Sequence, residues 1–195
     1  MPIVLNGSGT VTGISVGGLP DGCVDTDTLA TSVTRGKILQ VVTALKTNTA
    51  SQGSATYASI SGLQPTITPT ASTSKILINI NIKIGASHQY ADVNLKLYRS
   101  VGGSELEIFS GTNVGNRTAG FYGVQDFHQM ATYFQIPCSS QYLDEPNTDQ
   151  QITYLMKWQV TRGGTYIYVN RTGDDTNDSG AHRLSSSITL TEVAA

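Results

Sequence analysis

Residues 75–84 read Lys-Ile-Leu-Ile-Asn-Ile-Asn-Ile-Lys-Ile. Ile76, Ile78, Ile80, Ile82 and Ile84 fall on one parity, with Lys75, Leu77, Asn79, Asn81 and Lys83 between them. Successive side chains of a strand point to opposite faces, so this stretch has one wholly apolar face and one almost wholly polar face. β-Branched residues at every position of the apolar face add strand preference. A helix would scatter the five isoleucines around its axis. The stretch predicts a central strand of an antiparallel sheet, with one core face and one wet or interfacial face.

Further alternating stretches follow the same rule. Strands are predicted over 38–45, 92–99, 105–109, 152–160 and 186–193, with short extended pieces at 55–60 and 63–69. Gly102-Gly103 predicts a hairpin between 92–99 and 105–109. Met130, Thr132, Phe134 and Ile136 predict a strand that Pro137 ends. Residues 139–150 are predicted as a polar loop. Arg162-Gly163-Gly164 predicts a tight turn that returns 166–169 antiparallel to 152–160, which would gather Tyr154, Trp158, Tyr166 and Tyr168 on one hairpin. Residues 110–128 have no period, and a patternless stretch of that length is more often functional than idle. Many short strands with Gly/Pro turns predict an all-β antiparallel sandwich or jelly roll.

Residues 1–36 have a different texture. Gly7, Gly9, Gly13, Gly17 and Gly18 punctuate a segment whose few apolar anchors include Val11, Ile14 and Val16. Such a segment buries little area alone and allows close backbone approach. It is expected to be an extended attachment segment, with Gly9, Gly13, Ile14, Val16 and Gly17 as candidate docking residues for a partner protein. Asp25 or Asp27 would cap a short helix carrying Leu29 and Val33. The expected organisation is an attachment segment over 1–36 and a sandwich over 37–195.

Composition narrows the function classes. Charged residues make up 13% of the 195 residues, against a usual share of about 25%. Low charge suits extracellular, viral or secreted β-proteins. With 12 basic and 14 acidic residues and no Lys/Arg run, nucleic-acid binding is not expected. The N-terminus lacks the pattern of a signal peptide, and no apolar run is long enough to span a bilayer. Cys23 and Cys138 permit one disulfide or two free thiols, and define no metal site.

Reactive constellations are scarce. His88, His128 and His182 are scattered, and no serine sits in a nucleophile elbow. The glycines at 7, 9 and 13 lack a following βαβ unit or Lys-Ser/Thr pair. Asp144 and Glu145 are adjacent, which does not by itself span a sugar-sized gap. Asp174, Thr176 and Asp178 have the alternate spacing of oxygen ligands for calcium, yet the EF-hand pattern is not matched. A charged, solvated hairpin tip is the favoured reading of these residues. The expectation is a non-enzymatic protein with no cofactor and no resident metal.

Three stretches carry a family likeness. Pro2-Ile3-Val4-Leu5-Asn6-Gly7-Ser8-Gly9-Thr10-Val11-Thr12-Gly13-Ile14-Ser15-Val16-Gly17-Gly18-Leu19 resembles the start of small structural proteins of tailed phages of marine bacteria and cyanobacteria. Ile67-Thr68-Pro69 through Ser74-Lys75-Ile76-Leu77-Ile78 resembles a turn and strand of phage tail-fibre and virion proteins. Ile152-Thr153-Tyr154, Gly164-Thr165-Tyr166-Ile167-Tyr168-Val169-Asn170-Arg171 and Ser187-Ile188-Thr189-Leu190-Thr191-Glu192-Val193 are similar to the same group. The resemblance implies a virion β-sandwich that forms homotrimers and binds other virion proteins. The chain lacks the long shaft of tail-fibre relatives, which favours a short tail-tip appendage, with a capsid decoration or head-fibre protein as the alternative. Host contact, to a surface glycan or protein, is expected on distal loops, with Tyr122, His128, Tyr142, Asp144, Asp174, Asp178 and His182 as candidates. A carbohydrate-binding module with a shallow site on loops 110–128, 139–150 and 171–183 is the rival class.

Overall fold

The computed structural model describes residues 37–127 and 133–194. The described residues belong to the unit Gly36–Ala195. The expected attachment segment with Gly9, Gly13, Ile14, Val16 and Gly17, the short helix, Cys23, His128, Met130 and Thr132 lie outside the described residues.

The isoleucine ladder forms the centre of the first sheet. It lies in β5 (Lys75–Ala86), and all five isoleucines are buried. One edge of β5 pairs with β9 (Ile136–Asp144). The other pairs with β12 (Ser186–Val193), and beyond its end with β11 (Ile167–Val169). Outside these lie β1 (Ile38–Lys46), on β12, and β2 (Ala50–Gln52), on β11. The second sheet centres on β6 (Asp92–Val101) and β10 (Ile152–Gln159). Short strands β3 (Ala58–Ser59) and β4 (Thr66–Ile67) flank β10, while β7 (Ser104–Phe109) and β8 (Tyr122–Gln125) flank β6.

Every pairing is antiparallel. Counting β1 with β2, β3 with β4, β7 with β8 and β11 with β12 as single lines leaves eight lines in two sheets of four. Their orders are 1-8-3-6 and 2-7-4-5, the order of a jelly roll. The chain is therefore all-β, an antiparallel sandwich of jelly-roll type among the described residues.

The inner faces meet in one core. Ile188 and Leu190 of β12 and Ile167 and Val169 of β11 extend the isoleucine face, and Val93, Leu95, Leu97, Ile152, Met156 and Trp158 oppose it. Two buried polar groups fasten this core. Asp144 of β9 accepts two hydrogen bonds from Arg99 Nη1 of β6, at 2.9 and 3.0 Å, and one from the Tyr154 hydroxyl of β10 at 2.7 Å. That cluster bolts one sheet to the other. Glu192 of β12 accepts from Gln40 Nε2 at 2.6 Å and from both the backbone N–H and the hydroxyl of Thr70, each at 2.7 Å. It ties β1 and the turn before β5 to the last strand.

Four sequence expectations are corrected. Residues 166–169 do not return along 152–160. The chain crosses between sheets after β10, so β11 joins β5 and β2. Tyr154 and Trp158 are therefore core residues of the second sheet, Tyr168 lies on the first beneath the Arg171 guanidinium at 3.4 Å, and Tyr166 is exposed. A Cβ on Gly85 would stand 2.2 Å from the Arg171 carbonyl oxygen, so only glycine admits the chain that leaves β11 over this strand.

The strand expected to end at Pro137 instead begins at Ile136 and runs through the proline. Pro137 is tolerated because, among the described residues, β9 has a neighbour only on its β5 side, and an edge strand can lack an N–H facing solvent. Residues 139–144 are thus strand, not loop. The patternless stretch 110–128 contains β8.

The Glu192 carboxyl has a testable signature. Burial works to raise its pKa, but the hydrogen bonds from Gln40, Thr70 and Ser74 outweigh it and hold the value below the ordinary 4.5. A depressed folded-state value means the stabilisation is present above the unfolded value and lost as pH falls through the folded one. Glu192→Gln is expected to lower the melting temperature at pH 7 and to flatten its fall below about pH 4.5. Thermal melts from pH 7 to pH 3 check this; parallel curves for the two proteins would contradict it.

Candidate functional site

The residues singled out for host contact divide into scaffold and surface. Tyr142 and Asp144 lie in β9 and Tyr122 in β8, so none of the three is on a loop. The Tyr142 ring stacks on Phe109 at 4.9 Å, and Phe109 stacks on Phe121 at 5.1 Å. These rings close the open side of the sandwich between β9 and β7. Tyr122 packs half-buried against the same core. Asp144 is occupied by Arg99 and Tyr154. Burial, with the Asp144 charge beside it, pushes the Tyr154 hydroxyl far above its usual range, so it remains a donor.

Asp174, Asp178 and His182 do lie on one loop, between β11 and β12. Asp178 Oδ1 accepts from the Gly180 N–H at 2.7 Å and fixes its own turn. The His182 carbonyl accepts from Gln135 Nε2 at 2.9 Å. Neighbouring Asp175 carries the electrostatics of this loop. It accepts from Arg183 Nε at 3.0 Å and Nη2 at 2.6 Å, with Arg171 at 3.9 Å. The loop is drawn together by arginines. Among the described residues no three His, Cys, Asp or Glu side chains converge as a metal set. His88 lies elsewhere, before β6, with Nδ1 accepting from the Tyr90 N–H at 3.2 Å.

A second locus is built on the second sheet, where β6 begins and β10 ends. The loop between β7 and β8 folds back over β6 and leaves an open cleft of about 510 Å³, lined by Asp92, Asn94, Arg117, Thr118, Gln125 and Thr161 among others. Asp92 anchors its floor. Its carboxylate accepts from the backbone N–H groups of Thr161 and Arg162 at 2.9 and 3.1 Å, and from the Thr161 hydroxyl. Arg162 in turn donates to Asp126 at 2.8 Å and to the Tyr90 carbonyl at 3.2 Å. Asn94 accepts from the Tyr57 hydroxyl at 2.6 Å. A Cβ on Gly120 would stand 2.4 Å from Asn94 Oδ1, so the loop backbone rests directly on that amide.

Among the described residues Arg117 makes no ion pair. The cleft thus offers amides that both donate and accept, hydroxyls and one guanidinium. Such a set recognises hydroxylated or anionic polar ligands by hydrogen bonding. The sequence pointed to the 110–128 stretch but not to Asp92, Asn94 or Thr161. Asp92 and Thr161 are 69 residues apart, and only the jelly-roll crossing brings them together.

No family model matches the chain, and no curated protein matches it. Solved viral structures do match. One, "Structure of infectious bursal disease virus Gx strain", aligns at 14% identity with a TM-score of 0.39, over 90% of this chain and 44% of that one. Another, of the Gt strain of the same virus, aligns at 13% identity with a TM-score of 0.36, over 91% and 43%. The chain spans less than half the length of either.

The division between scaffold and surface predicts contrasting variants. Asp144→Ala leaves the half-buried Arg99 guanidinium and the buried Tyr154 hydroxyl without their partner and is expected to cost about 3 kcal/mol. Arg117→Ala removes an exposed group and is expected to stay within about 0.5 kcal/mol. Urea unfolding of both variants checks this, and equal losses would contradict the division.

Proposed function

We propose that the chain is a non-enzymatic structural component of a phage particle. It acts as a homotrimeric tail-fibre-like or tail-tip appendage, held to other virion proteins through residues 1–36, with loop residues turned to the host surface. The observation that carries this reading is where the reactive side chains go. Asp144, Asp92, Asp175 and Glu192 are each tied into hydrogen bonds that hold strands or loops together. The open cleft is furnished with groups that bind rather than react. The phage-like motifs of the sequence, the low charge and the jelly-roll order add support. Jelly rolls serve in capsids and lectins alike, which is a fold-level analogy. A capsid decoration or head-fibre protein would use the same scaffold at a different site on the particle.

Sedimentation of the purified protein tests the reading, with three chains per assembly as the expected result. A folded monomer at micromolar concentration would overturn it.

The cleft at Asp92 favours a second reading, a carbohydrate-binding module. Amides and hydroxyls at the rim of an open groove are suited to the vicinal hydroxyls of a sugar. A glycan array separates this reading from a purely architectural one. Binding that Arg117→Ala and Gln125→Ala weaken at least tenfold supports it, and no binding to any glycan contradicts it.

A further inference from the structure

The two outer faces of the sandwich have opposite chemistry. On the second sheet, charges are present and internally paired. Lys96 Nζ meets Glu107 at 2.8 Å, Lys157 pairs with Glu105, and the two lysines lie over the rings of Tyr57 and Tyr98 at 5.0 and 4.5 Å. Such a face is complete in water.

The outer face of the first sheet carries its charges towards the ends of β5, where Lys75 meets Glu145 at 2.5 Å and Lys83 Nζ donates to Asn81 Oδ1 at 2.8 Å, with a neutral field between them. Three rows of side chains cross β1, β12, β5 and β9 in unbroken register. They are Val41–Thr191–Leu77–Leu143, Thr43–Thr189–Asn79–Gln141 and Leu45–Ser187–Asn81–Ser139. None of these twelve residues is charged, and Lys75 and Lys83 bound the field on β5. The relief is uneven. Val41 and Leu45 on β1 form a ridge, 58% and 63% exposed. On the far side, Asn79, Asn81, Ser139 and Gln141 line a shallow trough of about 560 Å³. Leu143, 48% exposed, closes the top row beside it.

We infer that this face is the contact surface for a second copy of the same chain, packed with the symmetry axis parallel to the strands. The inference rests on the reading above that copies of this chain assemble. Rotation about such an axis keeps every row at its own height and brings the β1 ridge of one copy onto the β5–β9 trough of the next. Val41 then meets Leu143 and Leu77, Thr43 meets Gln141, and Leu45 enters the Asn81–Ser139 end of the trough. The top row matches apolar with apolar. The middle row matches a hydroxyl with an amide, each able to donate and accept. Charge is the decisive term. A copy of itself is the partner against which any fixed charge at the centre of a shared face risks meeting its own sign, and the twelve-residue field has none. With strands about 4.8 Å apart and same-face residues about 6.8 Å apart, the twelve side chains cover on the order of 400 Å². That is about half of what one partner of a standard interface contributes, so the field forms its centre, with the β1 edge, unpaired among the described residues, adjoining it.

Charge substitution with a rescue arm tests the inference by sedimentation at one fixed concentration. Val41→Lys and Leu143→Glu, each alone, are expected to weaken association at least tenfold. The V41K/L143E double variant is expected to recover it, because the new charges meet across the contact. Thr66→Lys on the opposite sheet should leave assembly unchanged. Circular dichroism and melting temperature show whether each variant is folded. Should a charge variant fail to fold, the Val41→Cys/Leu143→Cys pair in a Cys23→Ser background reads the same contact as a disulfide between copies. Cys138 does not compete there, because burial pushes its thiol up to about 12. A wild-type assembly that survives both single charge variants overturns this face as the contact while leaving the assembly reading intact. A wild-type protein that sediments as a folded monomer overturns that reading and this inference with it.

Discussion

The structure depends on the burial of one face of β5. Five isoleucines in alternate positions demand an apolar layer opposite, and each contributes on the order of 1.5–3 kcal/mol when removed from water. β5 satisfies its own backbone by pairing along both edges, with β9 on one side and β12 and β11 on the other. Its side chains are satisfied only by a second sheet, which β6 and β10 supply. The connections then follow. Elements that alternate between two layers, with every neighbour antiparallel, reach the jelly-roll order, and Gly85 marks where the chain leaving β11 presses on the central strand.

Most of this was legible in the residues. β5, β6, β10 and β12 announce themselves by alternation, because each buries apolar residues on one parity, while β1 and β7 are legible by strand-forming residues and by the Gly102–Gly103 turn. β9 does not. Its inward residues are Ile136, Cys138, Ser140, Tyr142 and Asp144, and three of the five are polar. Asp144 can face inward because Arg99 and Tyr154 reach it from the opposite sheet, a partnership invisible to any local pattern. Pro137 adds a false stop, tolerated only because β9 is an edge. The turn at Gly163–Gly164 was misread for a related reason. A tight turn predicts a hairpin when both strands share a sheet, whereas here it carries the chain from one layer to the other.

The candidate site was legible by region rather than by residue. Loop 110–128 stood out for lacking a period, and it does roof a cleft. The residues beneath it, Asp92, Asn94 and Thr161, belong to strand ends and come together only through the pairing of β6 with β10. Tyr122 and Tyr142 look like exposed aromatics in a polar setting, yet they line the seam of the core. An aromatic next to small polar residues marks an edge strand as readily as a binding loop, and only the register of that strand decides between them.

The sandwich emerges as a scaffold with two unlike faces. The β6–β10 side pairs its own charges and stacks its lysines on tyrosines, leaving little for a partner to complete. Between Lys75 and Lys83 the β5 side presents neutral hydroxyls, amides and a few aliphatics in continuous rows, a surface that water tolerates and a matching surface completes. The central claim is that this difference reflects assembly, with the neutral sheet turned toward neighbouring copies and the charged sheet toward solvent. Electron cryo-microscopy of the assembled protein tests it most directly. The account predicts a symmetry axis parallel to β5, with β1 of one copy lying over β9 of the next; the neutral sheet bare to solvent and the charged sheets in contact would contradict it.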